Sequence, residues 1–274
     1  MTQEFSPPPV DTVAPVLPGA LARPRKLPFR GLIERIDKLT YDVRTFRIRL
    51  IEPATISFRP GQNIRLQVPP YGNNPQPTAR NYSIASIPSD SGHVDIIMRY
   101  VPGGVCTTWA FEALQEGDEV TFSGPYGKFA LSDTRRPMIW LAGGSGMGPF
   151  WSMLRHMKEM GIDREVFYFF GAVGRDDLML YSELRQFEAQ LPWFFFMPAL
   201  SATATDDAWA GERGLITDVL GRCLPYRPDL EAYICGPQKM IDKGLEVLRL
   251  HGFQDDSIFC DNFGNIPAPA LAEQ

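Results

Sequence analysis

A change of hydrophobic rhythm near residue 136 constrains this chain more than any other feature. Upstream, apolar and polar residues alternate. In Val43–Leu50, Phe46, Ile48 and Leu50 interleave with Thr45, Arg47 and Arg49, the period-two pattern of a strand with one buried face. Ile64–Val68, Asn81–Ile87, Val94–Tyr100 and Glu119–Ser123 read the same way between Pro- and Gly-rich turns, with one short helix at Thr107–Leu114. Five or six short strands in about 100 residues predict a small antiparallel β-barrel. Downstream, Met138–Ala142 is apolar without interruption, and Phe150, Met153, Leu154 and Met157 then recur at helical spacing. Val166–Gly171, the helical stretch Asp177–Gln190, Trp193–Leu200, a helix from Leu215, Ala232–Cys235 and a helix from Lys239 to Leu250 continue the alternation. Strands apolar on both faces, each followed by a helix, predict a parallel sheet covered by helices. The expected fold is an antiparallel β-barrel followed by an α/β parallel-sheet domain.

A length of 274 residues accommodates two domains of about 150 residues each. Seven prolines from Pro7 to Pro28 crowd the start, so residues 1–28 are expected to form a flexible or extended arm. Residues 29–134 make the barrel, 135–264 the α/β domain and 265–274 a tail. Lys and Arg total 27 against 32 Asp and Glu, a net charge of −5, which argues against a nucleic-acid partner. No apolar run approaches the ~18 residues of a membrane span, and the start lacks a secretory signal, so a cytoplasmic location is expected. Cys106, Cys223, Cys235 and Cys260 show neither zinc-ligand nor iron–sulfur spacing, and His93, His156 and His251 lie far apart. No protein-bound metal is expected.

Three glycine- or cation-bearing segments carry candidate chemistry. Leu141-Ala142-Gly143-Gly144-Ser145-Gly146-Met147-Gly148-Pro149 joins the first buried strand to an amphipathic helix. Glycines there let a diphosphate approach the backbone and the helix N-terminus, and Pro149 suits a first helical turn. A tight turn also uses glycine for purely structural reasons. Arg80-Asn81-Tyr82-Ser83 sets a cation, an aromatic ring and a hydroxyl in one strand, with Arg80 and Tyr82 on the same side. Pro102-Gly103-Gly104-Val105-Cys106-Thr107-Thr108 leads into the barrel's helix, as an anion site or as a cap made by Thr107 or Thr108. Two other motifs fail. Met147 stands where a G-x-S-x-G nucleophile elbow needs glycine, and Gly127-Lys128 is followed by Phe129 instead of the Ser or Thr of a P-loop.

These segments, together with Gly124–Phe129 and Cys235-Gly236-Pro237, occur in an order and spacing that resembles the ferredoxin–NADP reductase superfamily over about Phe29–Gly264. The chain looks most like the flavin modules of oxygenase reductases. It is also similar to that of the F subunit of sodium-pumping NADH:quinone reductase, including Asp261-Asn262-Phe263-Gly264. The resemblance implies an FAD-binding barrel and an NAD-binding α/β domain. It places Arg80 on the FAD diphosphate, Tyr82 against the isoalloxazine and Ser83 at flavin N5, with Asn81 in the same cofactor-binding segment. Gly104, Val105, Cys106 and Thr107 become a second diphosphate turn. Gly143, Gly144, Gly146 and Pro149 become the nicotinamide-dinucleotide diphosphate loop. Cys235, Gly236 and Pro237 would lie beside the nicotinamide, though Cys235 also reads as a buried strand-end thiol. Phe263 would cover the flavin, and Asp261 stands where many relatives carry Glu. Ser83, Cys235, Asp261 and Phe263 are thus the catalytic candidates, with hydride transfer governed by ring positioning.

At Gly171-Ala172-Val173-Gly174-Arg175-Asp176-Asp177, Val173 and Gly174 offer no hydroxyl or cation for a 2′-phosphate. Asp176 or Asp177 could accept ribose hydroxyls, and NADH is the expected donor; capping of the next helix is the other role open to them. The expected acceptor is a separate iron–sulfur protein or oxygenase component. Alternatives are reduction of a quinone, free flavin or ferric chelate, or a non-catalytic flavin-bearing subunit. The tail at 265–274, with two prolines and small residues, is expected to be disordered; a place near the nicotinamide entrance is the alternative.

Overall fold

The computed structural model describes residues 28–202, 208–227 and 229–262. Of the features expected from sequence, the arm before Pro28, the covering ring Phe263 and the tail lie outside the described residues.

The first sheet holds β1 (Phe29–Lys38), β2 (Val43–Glu52), β3 (Asn63–Val68), β4 (Thr78–Ser83), β5 (His93–Arg99) and β6 (Glu119–Tyr126), in the order β4-β3-β6-β1-β2-β5. All neighbours are antiparallel. An Ile84–Ile96 bridge and the bond from Ala85 N–H to Asp95 O bring the end of β4 onto β5, so the sheet curls round to meet itself. The alternation read in β2 holds: Phe46, Ile48 and Leu50 are buried in the barrel with Ile33, Ile64, Leu66 and Phe122, while the intervening Arg47 and Arg49 stay outside.

Two differences matter for the site. The strand expected at Asn81–Ile87 begins and ends earlier, because Ile84 makes one bridge and the chain then turns into the barrel. Helix α1 (Val105–Glu112) starts two residues before Thr107, and neither threonine caps it. The Thr107 hydroxyl instead accepts from Val101 N–H and lies 3.1 Å from the Val101 and Gly104 carbonyls, stapling the turn before the helix.

The second sheet contains β7 (Met138–Gly143), β8 (Val166–Ala172), β9 (Phe194–Leu200), β10 (Glu212–Arg213), β11 (Glu231–Gly236) and β12 (Ile258–Asn262), all parallel, in the order β10-β9-β8-β7-β11-β12. Helices α2 (Met147–Met160), α3 (Tyr181–Gln190), α4 (Ile216–Cys223) and α5 (Gln238–Leu250) connect them. Along β7, Met138, Trp140 and Ala142 face one apolar layer, and Ile139 and Leu141 the other. That double burial is why the strand shows no polar alternation. The helix expected from Asp177 begins only at Tyr181. A short 3-10 turn, Arg175–Asp177, precedes it, and Leu180 has a left-handed backbone (φ 54°) that separates the two.

The sheets share a core. Val43, Ala85, Ile97 and Phe129 of the first unit pack in the same apolar layer as Met147, Phe150 and Met153 of α2. Phe129 meets Phe150 and Tyr233 edge-on, at 5.9 and 5.8 Å between centroids. Ser152 donates to Ser86 O across the seam at 2.5 Å. The connecting segment is held by a buried ion pair. Arg164 donates to Glu231 at 2.9 Å, and Ser132, Thr134 and Tyr233 also donate to that carboxylate. Burial opposes the Glu231 charge, but these donors outweigh it and hold the carboxyl below its ordinary range.

Candidate dinucleotide site

In the second sheet the chain order runs outward from β7 through β8, β9 and β10, then returns to place β11 on β7's other side. Ligands of open α/β sheets bind at the carboxyl ends of strands where the order reverses in this way. The turn after β7 carries Gly143-Gly144-Ser145-Gly146, and the turn after β11 carries Gly236-Pro237. Both line one cavity of about 480 Å³. Gly146 packs so closely on β11 that a Cβ there would overlap the Cys235 carbonyl. Gly144 takes φ +55°, a left-handed conformation that favours glycine.

The opposite wall comes from the first sheet. Arg80, Asn81, Tyr82 and Ser83 of β4 line the same cavity, with Gly104, Val105, Cys106 and Thr107 at the start of α1. Neither α1 nor α2 has a side-chain cap, which leaves first-turn N–H groups of α1 available to anions. At α2 the Met147 N–H is taken by the Gly144 and Ser145 carbonyls and Pro149 has none, so an anion there meets the glycine turn itself. Arg80 is exposed at the rim, steadied by Thr78 Oγ1 and Ala79 O at 3.1 and 2.9 Å. Tyr82 OH donates to Cys106 Sγ at 3.0 Å. Burial pushes the phenol well above its ordinary range and raises the Cys106 thiol too, so both stay neutral.

Ser83 Oγ donates to Asp261 Oδ2 at 3.0 Å, joining the end of β4 to β12. Burial raises the Asp261 carboxyl, partly offset by the Ser83 donor. Cys235 is paired in register with Asp261, yet its thiol is fully buried in the core layer and the cavity is lined by Gly236 and Pro237 beside it. Burial, and then the neighbouring Asp261, push that thiol well above its ordinary range. Pro149 is buried in the first turn of α2 and lines neither cavity.

A second cavity of about 170 Å³ shares Arg99, Gly143, Gly144 and Pro237 with the first. It continues past Gly171, Ala172, Val173, Asp177, Ser201 and Leu215, so the two form one groove across the ends of β7, β8, β9 and β11. Asp177 is on its wall with Oδ2 accepting from Gly174 N–H at 2.8 Å. Asp176 is exposed and lines neither cavity. Arg99, Ser201 and Leu215 were not singled out from the sequence. The signal for Arg99 was its place at the end of β5, just before the Gly103-Gly104 turn. Arg99 Nε donates to Asp42 Oδ2 at 2.6 Å, and a Cβ on Gly144 would lie 3.2 Å from its Nη1.

A barrel strand bearing a cation, a ring and a hydroxyl, facing a glycine turn at a sheet's reversal point, defines a two-domain oxidoreductase architecture for two dinucleotides. Comparison with known proteins agrees. Residues 31–131 match the family model described as an oxidoreductase FAD-binding domain, and 140–244 that of an oxidoreductase NAD-binding domain. The chain is 36% identical over 238 residues to the reductase component of propane 2-monooxygenase from Rhodococcus jostii, covering 85% of this chain and 63% of that protein. It is 34% identical over 237 residues to a ferredoxin–NAD(P)+ reductase component of naphthalene dioxygenase and salicylate hydroxylase systems from Ralstonia, covering 85% and 68%. The cytochrome P450 reductase GcoB of Amycolatopsis superposes with a TM-score of 0.78 at 28% identity, over 86% of this chain and 70% of that one. The chain belongs to the ferredoxin–NADP reductase superfamily. It spans less than two thirds of the length of the propane monooxygenase relative. Among the described residues, no helix is long and apolar enough to cross a membrane.

The residues present fit the two cofactors that the domains imply. Uncapped helix starts and two arginines border the places a diphosphate would occupy, and apolar and neutral side chains make up the rest of the walls.

Proposed function

We propose that this chain is an NADH-dependent flavoprotein reductase that passes electrons to a separate iron–sulfur or oxygenase component. The observation that carries the reading is the convergence of Arg80–Ser83 and Gly143–Gly146 on one groove. When bound, FAD supplies the capacity to accept a hydride and release electrons singly. In this reading, Arg80 and the first turn of α1, Gly104–Thr107, hold its diphosphate, and Tyr82 walls its ring. Ser83 presents a hydroxyl at the ring edge, and Asp261 steadies the proton on Ser83 Oγ. Cys235 backs the nicotinamide's place as a neutral thiol, with Gly236 and Pro237 in contact, and Phe263 is proposed as the covering ring. Gly143, Gly144, Gly146 and the α2 start receive the second diphosphate, Pro149 shaping that helical turn.

Preference for NADH is supported by the second cavity. Of the charged groups lining it, Asp42, Arg99 and Asp177, only Arg99 is a cation, and it stands between two carboxylates at the Gly144 end, with Nε on Asp42 and Nη2 3.6 Å from Asp177. Among the described residues of that wall, a 2′-phosphate near Val173, Ser201 and Leu215 would find no uncommitted positive partner. The partner class is supported by relatives that are reductase components of multicomponent oxygenases. A reducing, cytoplasmic setting accords with four free cysteines. The test is an absorption spectrum and an anaerobic titration. A yellow protein bleached stoichiometrically by NADH, with kcat/KM lower for NADPH, meets the reading. A colourless protein unable to take up FAD refutes it. Stopped-flow reoxidation by a ferredoxin, a quinone or a ferric chelate identifies the acceptor class.

A further inference from the structure

Asp177 lies in the 3-10 turn after β8, on the second sheet unit, yet it bonds to the first. Gly174 N–H fixes its Oδ2 at 2.8 Å. The other oxygen, Oδ1, faces across the groove, where Tyr41 OH donates to it at 3.1 Å and Arg99 Nη2 stands 3.6 Å away. Tyr41 and Asp42 belong to the turn between β1 and β2, and Arg99 ends β5. Side chains from one unit therefore meet one carboxylate of the other, at the point where the two cavities join.

The contacts are unequal. Arg99 Nε to Asp42 is short, at 2.6 Å, whereas Nη2 to Asp177 is beyond hydrogen-bond length. The guanidinium is thus anchored on Asp42 and only loosely held by Asp177. Its third nitrogen, Nη1, stands beside Gly144, at the glycine turn that leads to the uncapped start of α2. An anion settling on that turn meets a cation already paired, on its far side, with a competing carboxylate.

We propose that Asp177, Arg99 and Tyr41 form a clasp across the groove, in which Asp177 competes with the dinucleotide diphosphate for Arg99. Asp42 is the fixed pivot. A diphosphate arriving at Gly144 meets Nη1 and draws the guanidinium from Asp177, and the departing product returns it. The clasp lowers affinity for the dinucleotide and so favours product release over tight product binding. Asp177 is a positioning residue here, acting through Arg99. The inference rests on the reading that this groove takes a nicotinamide dinucleotide.

The test is calorimetric titration of the FAD-loaded protein with NAD+. Asp177→Asn and Asp177→Ser both remove the charge and keep an oxygen to accept from Gly174 N–H. Each should tighten NAD+ binding about three- to fivefold, the size expected for losing a partly exposed ion pair. In an Arg99→Gln background the same substitutions should change nothing. Tyr41→Phe, distant from the Gly174 turn, should act oppositely, because Oδ1 then has Arg99 as its remaining partner of the two and binding weakens. Unchanged or weaker binding in folded Asp177 variants overturns the clasp, as does an equal gain without Arg99. In either case wild-type binding persists, which separates this failure from failure of the functional reading. Wild-type protein that loads FAD but gives no NAD+ heat overturns both.

Discussion

Ser83 and Asp261 stand 178 positions apart in the chain, and a 3.0 Å hydrogen bond from Oγ to Oδ2 joins them across the seam between barrel and parallel sheet. The hydroxyl is consequently oriented by a residue from the last described strand. If Ser83 aids transfer at the flavin edge, Ser83→Ala should slow anaerobic flavin reduction by about a hundredfold or more. The NAD+ dissociation constant should stay the same. Rapid-mixing kinetics beside equilibrium titration separates the two quantities.

Asp261 also gives a pH signature in stability. Burial raises its carboxyl in the folded protein, so the folded state binds a proton more readily than the unfolded one. Its contribution is fully present below about pH 4, the unfolded carboxylate value, and is lost as pH rises through the raised folded value. Asp261→Asn, which cannot ionise, should melt higher than wild type near pH 7, with the difference shrinking in acid. Scanning calorimetry at several pH values measures it.

Glu231 runs the other way. Its carboxyl is held below the ordinary range, so its contribution is present above the unfolded value and is lost as pH falls through the folded one. Its side chain is 3% exposed and that of Arg164 6%. Glu231→Gln leaves Arg164 charged and without its carboxylate, and should destabilise by about 3 kcal/mol at neutral pH. Urea unfolding should show that loss narrowing in acid.

Gly146→Ala tests the joint between the two glycine turns. The added methyl overlaps the Cys235 carbonyl, which is backbone and cannot swing aside. A destabilisation of about 1–3 kcal/mol is expected, with displacement of the turn after β7. Thermal melting and NAD+ titration together read both effects.

Much of this was legible in the chain before any coordinates. The shift from alternating to continuous apolar strands separated the two sheets, because double burial removes the polar face that marks a barrel strand. The Arg80–Ser83 and Gly143–Gly146 segments announced themselves by composition. Strands β1 and β12 did not, since Arg30, Glu34 and Asp37 on one and Asp261 on the other dilute the apolar signal. Arg99, Asp42, Tyr41, Ser201 and Leu215 are ordinary residues in sequence. Strand order alone brings them to the groove. Nor could spacing tell which way Cys235 faces: that depends on the packing of β11 between β7 and β12.

The shared layer formed by Val43, Ala85, Ile97 and Phe129 with Met147, Phe150 and Met153 bears on how the polypeptide can be handled. Cutting it within the 133–137 connector would leave each fragment with a raw oily flank that its own side chains cannot hide. The halves match two separate domain families, yet they are glued, and neither is a ready-made part to be lifted out on its own.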